Sequence, residues 1–390
     1  MIPYGRHHLD AEDIAAVVDI LSGKQLTQGP MIDAFEEAVA TYVGARHAVA
    51  VSSGTAALHL AAMAAGVGPG RRLVTSPITF VASANAALYC GGSVGFADID
   101  PATVNMSPEA LEQTLAAHPD TAAVIPVHFG GLPCDMEAIA RIARARGAMV
   151  IEDAAHALGA RQGDGTPVGS CTQSDMTCFS FHPVKAIAAG EGGMITTNDT
   201  ALYRRLIRIR SHGINKLDDP FQAPEAAVEN GQPNPWYYEM QELGYHYRIT
   251  DIQCALALSQ MKKLDSFIAR RRALARSYDA AFADFAHLRP AQPEGRDQSG
   301  LHIYVVRIDF AAIGKTRGDV MRALRARGIG SQVHYIPVPI QPHYAALGFG
   351  PSDCPAAMAY YDQALSIPLF YDLTDAQQAE VITALRDIVG

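Results

Sequence analysis

Three groups in this chain are spaced for chemistry. Lys185 follows Cys178-Phe179-Ser180-Phe181-His182-Pro183-Val184, where a period-two strand delivers Ser180 and Pro183 then breaks its regularity. The residues after it, Ala186-Ile187-Ala188-Ala189-Gly190-Glu191-Gly192-Gly193, are small enough for a bulky partner to come close. In an apolar setting the lysine amine loses basicity, as imine formation requires; a solvated surface lysine is the ordinary alternative. Asp153 ends the apolar run Ala148-Met149-Val150-Ile151-Glu152. Ligands of open parallel sheets sit beyond the strands' carboxyl ends, so this carboxylate suits a protonated ring nitrogen, or else it is a helix N-cap. In Val51-Ser52-Ser53-Gly54-Thr55-Ala56-Ala57-Leu58 a strand ends in small polar residues and a helix begins, which makes a phosphate seat or a plain capped turn. Together, a phosphate seat, an aspartate roughly 100 residues on and a lysine roughly 30 beyond it fit one cofactor, pyridoxal phosphate.

Elements able to hold these groups are visible in the pattern. Ile14, Val17, Val18 and Leu21 recur at helical spacing from Asp10 to Ser22, behind an acidic first turn that suits the helix dipole. A loop over residues 24–30 and a helix from Met31 to Val43 follow. The β-branched runs 48–51, 73–75, 94–97, 123–127 and 149–151, separated by helical segments, predict right-handed βαβ units and a buried, mainly parallel sheet. Residues 220–235 read as a surface loop. A single long helix is expected from Asp251 to Phe285, with Arg270, Arg271 and Arg272 at its basic end. Beyond it the pattern predicts a strand at 302–308, a helix at 316–327, a strand at 331–335 and a closing helix from Asp375. The expected division is a large cofactor-binding α/β domain over 1–250 and a smaller α+β domain over 251–390.

Composition narrows the partners. The 390 residues carry a formal charge of -9 without a basic run, so nucleic acid and anionic membrane are poor partners. Residues 1–8 have no signal-peptide core and no stretch reaches the ~18 apolar residues of a membrane span. Six cysteines without a C-x-x-C pair read as reduced thiols, and the expected location is the cytoplasm. No His-Glu-x-x-His helix is present, so no metal is expected. Gly314-Lys315-Thr316 imitates the end of a P-loop, but Asp309 stands where its first glycine belongs.

The whole set of motifs resembles the nucleotide-sugar aminotransferases of the fold-type I pyridoxal-phosphate class. The resemblance lies in Ser52–Leu58, Glu152–His156, Ser180–Lys185, Gly190–Gly193, Lys24–Gly29, Thr75–Ala82, Arg210–Gly213, Tyr247–Gln253 and Gln332–Tyr335, and spans nearly the whole chain. Its opening and its Pro77-Ile78-Thr79-Phe80 stretch are most similar to the branch that makes UDP-4-amino-4,6-dideoxy-N-acetyl-β-L-altrosamine for pseudaminic acid. The resemblance implies a large α/β and a smaller α+β domain, a homodimer with sites at the subunit interface, a UDP-linked keto sugar as acceptor and glutamate as amino donor, leaving 2-oxoglutarate. Residue by residue, it implies that Lys185 forms the Schiff base and shuttles the proton and that Asp153 holds the ring nitrogen. His156 meets the ring hydroxyl and Phe80 stacks on the ring. Gly54, Thr55, Ala56 and Ser180 hold the phosphate. Tyr4, Lys24, Gln25, Leu26, Thr27, His334 and Tyr335 lie near the sugar nucleotide. Two positions depart from the family pattern. His246 replaces an asparagine that reaches the cofactor phosphate of the neighbouring subunit, and Ala188-Ala189 replace a hydroxyl- or glycine-containing pair. Dehydratase relatives carry histidine in place of the lysine, so Lys185 argues against that activity. Sulfur removal from cysteine would need an activated cysteine, which no neighbour here provides. A non-catalytic sugar-nucleotide-binding module on the same fold is the other alternative; it would form no keto acid from glutamate.

Overall fold

The computed structural model describes residues 1–23, 25–216 and 219–390. Helices α1 (Ala11–Ser22) and α2 (Pro30–Val43) lead into β1 (His47–Val51). Strands and helices then alternate through α3 (Gly54–Ala64), β2 (Arg72–Thr75), α4 (Ala82–Tyr89), β3 (Ser93–Phe96), α5 (Pro108–Ala117), β4 (Thr121–Ile125), α6 (Met136–Ala145) and β5 (Met149–Asp153). β6 (Met176–Ser180), β7 (Gly193–Thr197) and α7 (Thr200–Arg210) complete this part. The seven strands form one sheet in the order β1-β7-β6-β5-β4-β2-β3. β2 to β6 pair in parallel, and β7 runs antiparallel to both β1 and β6. β4 and β7 are buried along their whole length, as expected of strands covered by helices on both faces.

β7 is the one strand of this sheet that the apolar pattern did not reveal. Its sequence, Gly193-Met194-Ile195-Thr196-Thr197, opens on glycine and ends on two threonines, so it read as the loose tail behind Lys185. The threonines are buried because Thr196 Oγ1 donates to the Gly169 carbonyl at 2.8 Å and Thr197 Oγ1 to that of Asp175 at 2.8 Å. Within 220–235 the chain forms one short ribbon, Val228–Glu229 paired with Gln232–Pro233, and on either side of it Ile214–Asn215 pairs with Glu239–Met240.

The expected single long helix is two, α8 (Asp251–Met261) and α9 (Leu264–Phe282). The break falls at Lys262-Lys263, where the Lys263 ammonium pairs with Asp10 at 2.6 Å and with Asp13, a fully buried residue of α1, at 2.9 Å. Arg270, Arg271 and Arg272 therefore lie inside α9 and do not form its basic end. Arg271 is buried and donates to the carbonyls of Leu301, His302 and Leu369. A three-stranded antiparallel sheet follows, made of Leu288–Pro290, Tyr304–Ile308 and Ala364–Ile367, with α10 (Arg317–Ala326) and the closing helix Asp375–Val389 packed on each other. Lys315 of the P-loop imitation donates to the Ile388 carbonyl and Thr316 caps α10, so that motif holds helix ends.

Residues 331–335 do not form the expected strand. Gln332 bridges Ser366 through two backbone bonds, of 3.0 and 2.7 Å, and the pairing stops there. The next carbonyl on the way, that of His334, is taken by the Tyr360 hydroxyl at 2.7 Å, and Pro337 offers no N–H. The chain instead carries His334 and Tyr335 into the cleft described below.

Candidate active site

The cleft lies beyond the carboxyl ends of β5 and β6, at the amino end of α3, and holds about 610 Å³. Its position follows from the rule for open parallel sheets, and its size suits a cofactor with a small substrate.

One wall is built by close approach of two backbones. Ser53 caps α3, its hydroxyl accepting the Ala56 N–H at 3.1 Å, which leaves the amides of Gly54 and Thr55 without an intrahelical partner. Ser180, at the end of β6, stands directly opposite: a Cβ on Gly54 would come within 2.8 Å of the Ser180 Cβ. Gly193 makes this convergence possible, since it pairs with both Val51 and Ser180 and a Cβ there would meet the Ser53 carbonyl at 2.3 Å. Gly54, Thr55 and Ser180 thus form a small, donor-rich cradle at a helix N-terminus. Ala56 is buried, and its N–H is taken by the cap.

Asp153 occupies the middle. It is buried; one carboxylate oxygen accepts from Ser83 Oγ at 2.6 Å and the other from the Ala155 N–H at 3.1 Å. Lys185 lines the same cleft, and its amine is brought down to about 8 by burial, against the opposing pull of the Asp153 carboxylate. Phe80 presents an aromatic face that is 60% exposed, 6.5 Å from the Tyr335 ring.

The remaining wall is aromatic and polar. His156 Nε2 and the Tyr335 hydroxyl are 3.1 Å apart. His302 packs against His156 with ring centroids 4.3 Å apart and the planes tilted by 40°. His334 Nδ1 meets Ser366 Oγ at 2.7 Å, and Tyr4 rests on the His334 ring. Burial, followed by the nearness of Lys185, pushes His156 and His302 well below the usual imidazole range and His334 down to about 4. All three rings are neutral at physiological pH, so the cleft presents hydrogen-bonding nitrogens without added charge.

Behind Asp153, on the opposite face of β5, Glu152 is buried among three donors: His128 Nε2 at 2.7 Å, Ser174 Oγ at 2.5 Å and Thr177 Oγ1 at 2.8 Å. Burial works to raise its pKa, and these bonds outweigh burial to hold it below the usual range. The His128 N–H in turn donates to the Asp153 carbonyl at 3.1 Å, so the network fixes the end of β5.

The structure brings Gly54, Thr55, Phe80, Asp153, His156, Ser180, Lys185, Tyr4, His334 and Tyr335 into one cleft. It does not bring the other candidates there. Gln25, Leu26 and Thr27 are exposed; Thr27 bridges Thr250, and the Leu26 carbonyl accepts the Asp251 N–H at 3.0 Å. His246 bridges Ser211 and lies 5.4 Å from the His212 ring. A second hollow, lined by Gln25, Arg210, Ser211 and Arg248, occupies this region. Lys24 falls outside the described residues. Sequence reasoning missed Ser83 and His302 and named Thr79 and Gln332 within its motifs without giving them a role; all four touch the cleft or Asp153. For Ser83 a signal existed: a lone hydroxyl in the alanine-rich Ala82–Ala87 needs a partner. His302 gave none, because it lies just before its strand and is held by Gly130 and Arg271, far away in sequence.

Residues 7–386 match the DegT/DnrJ/EryC1/StrS aminotransferase family. The spore coat polysaccharide biosynthesis protein SpsC of Bacillus subtilis (strain 168) is 41% identical over 390 residues, covering 100% of this chain and 97% of its own. Helicobacter pylori PseC, an aminotransferase involved in the biosynthesis of pseudoaminic acid, superposes with a TM-score of 0.89 at 29% identity, over 100% of this chain and 99% of that one. The PLP-form of the putative sugar aminotransferase Spr1654 from Streptococcus pneumoniae gives a TM-score of 0.87 at 26% identity, covering 100% of both chains.

Proposed function

This chain belongs to the DegT/DnrJ/EryC1/StrS aminotransferase family, and from that premise we propose that it aminates a UDP-linked 4-keto-6-deoxy-N-acetylhexose, with glutamate as donor, on the way to pseudaminic acid. It is a pyridoxal-phosphate-dependent sugar aminotransferase of the aminotransferase fold. The observation that carries the site assignment is the convergence, in one cleft, of an amine of lowered basicity, a buried carboxylate and a cradle into which no Cβ fits. These residues suit the cofactor's aldehyde, ring nitrogen and phosphate in turn.

When bound, pyridoxal phosphate supplies a conjugated ring that accepts the electron pair left at the donor's α-carbon. The chain's own residues do the rest. The Gly54 and Thr55 amides and the Ser180 hydroxyl bind the phosphate. Asp153 would hold a proton at the ring nitrogen, and Phe80 would cover one ring face. Lys185, neutral in a useful fraction, would take the proton from the donor's α-carbon and return it at the carbon that carried the cofactor's aldehyde, with water then releasing the keto acid; the same steps in reverse would place the amino group on the sugar. His156, hydrogen-bonded to the Tyr335 hydroxyl, would meet the ring hydroxyl, and Tyr335 would face the sugar. Tyr4 and His334 border the space for the sugar.

The resemblance to PseC supports pseudaminic acid as the destination. The 41% identity with SpsC favours a second reading, amination of a different keto sugar for a surface polysaccharide. The test is half-reaction spectroscopy: convert the holoenzyme with glutamate, remove the donor, and offer UDP- and dTDP-linked keto sugars. The first reading expects the visible band to return with the UDP-linked 4-keto sugar. Return only with other keto sugars supports the second, and no keto acid from glutamate or any other amino donor points to a binding module.

The reading also takes the enzyme to be a homodimer in the cytoplasm. Six free cysteines suit a reducing compartment. Among the described residues that line the cleft, Lys185 is the one lysine or arginine, too little charge for a cofactor phosphate and a sugar diphosphate. Lys24, Gln25, Leu26, Thr27, His246 and Arg248 of a second copy are the proposed supplement. Trp236, Tyr238, Met240 and Leu243, each more than half exposed, give that copy an apolar surface to cover.

A further inference from the structure

Asp153 needs more than a place on β5, because a carboxylate on a strand end is free to turn about its own side-chain bonds. The Ala155 N–H holds one oxygen and Ser83 holds the other, which fixes the plane of the carboxylate. Ser83 sits in the first turn of α4 with no exposure, among the buried Ala82, Ala84, Ala86 and Ala87. A hydroxyl there costs stability unless it is bonded. Its oxygen lies 2.6 Å from Asp153 Oδ2, 2.7 Å from Thr79 Oγ1 and 3.5 Å from the Phe80 carbonyl. Ser83 has one proton to give, and the carboxylate is the strongest and nearest acceptor. Thr79, itself buried and lining the cleft, must then donate to Ser83. The order is Thr79 to Ser83 to Asp153, each bond polarising the next. Phe80 lies in the same turn, so the exposed ring and the carboxylate's clamp share one rigid piece of backbone.

We propose that Thr79 and Ser83 are positioning residues of the aminotransferase reaction, a hydroxyl relay that aims the Asp153 carboxylate at the cofactor's ring nitrogen and ties that aim to the plane of Phe80. The proposal rests on the role given above to Asp153 and is independent of which sugar is aminated. Ser83→Ala removes a hydrogen bond to a charged group, so the dissociation constant for pyridoxal phosphate should rise about tenfold and kcat of the glutamate half-reaction should fall about tenfold. The KM for glutamate stays within about twofold, because Ser83 touches no substrate. Thr79→Val, of similar shape, should move both quantities the same way by about threefold. The double variant should match Ser83→Ala alone, since Thr79 acts through Ser83.

The experiment titrates each apoprotein with pyridoxal phosphate by absorbance, follows the half-reaction, and records thermal unfolding of the apo form. Asp153→Asn serves as the control. If Asp153→Asn leaves affinity and rate intact, the assignment of Asp153 itself is wrong. If Asp153→Asn is severe while Ser83→Ala and Thr79→Val are silent, the relay is refuted and that assignment survives. Simple addition of the two single effects also refutes it. Should Ser83→Ala unfold, Thr79→Val alone decides: unchanged affinity and rate overturn the relay.

Discussion

At the scale of single residues, the basicity of Lys185 decides whether this cleft can do chemistry. An ordinary lysine near 10.4 is neutral in only about one molecule in 2,500 at pH 7, whereas one near 8 is neutral in about one in ten. The lowered value favours the neutral amine in the folded state, so the reactive fraction is lost as pH falls through about 8. Stopped-flow loading of the apoprotein with pyridoxal phosphate should therefore slow about tenfold per pH unit below that value and level off above it. A rate still rising steeply between pH 9 and 10 would mean that burial does not lower this amine. Gly54 offers an independent check. Gly54→Ala forces a Cβ against Ser180, so the affinity for pyridoxal phosphate should drop about tenfold or more and the apo melting temperature should fall as well. Equal affinity in the variant would remove the cradle from the account.

At the scale of elements, the site depends on three ends meeting: the close of β5, the close of β6 and the start of α3. Each was legible, because apolar runs followed by Asp153, Ser180 and Ser53-Gly54 carry their own punctuation. What could not be read was set by partners distant in the chain. The break between α8 and α9 falls on two lysines that propagate a helix well, and it exists because Lys263 turns back to Asp10 and Asp13, some 250 residues away. The residues 331–335 alternate like a strand, yet side chains of Tyr360 and Ser366 claim their polar groups. Glycine and threonine hid β7, although Gly193 is what lets Ser53 and Ser180 approach. The lysine turn gives a prediction. Lys263→Met leaves the buried Asp13 with the Ser259 hydroxyl, the Gln260 amide and the Asp10 N–H as donors but no cation, and chemical denaturation should show a loss of about 2–3 kcal/mol. A variant as stable as the parent would mean the pair does not hold α1 to α8.

At the scale of the whole molecule, α1 is inverted for a soluble surface helix. Its Ile14, Val18 and Leu21 are 60%, 50% and 57% exposed, while Asp13 is buried. The helical spacing read from the sequence was right, but the buried side is the one bearing the carboxylate. Such a stripe is suited to cover by the second copy of the proposed dimer; if it is, Ile14→Glu with Leu21→Glu should shift sedimentation from dimer toward monomer, and unchanged sedimentation would take α1 out of the interface. The histidine wall predicts acid sensitivity. Because His334 titrates near 4 when folded and near 6.5 when unfolded, the unfolded chain binds more protons between those values. Stability of the apoprotein should fall on acidification across that window, by an amount on the order of a few kcal/mol, and His334→Asn should flatten the slope. The most direct measurement is borohydride reduction of the holoprotein followed by peptide mapping. The account predicts a stable pyridoxyl group on Lys185, abolished by Lys185→Ala; a label on another lysine, or none on a protein that shows the visible band, would contradict it.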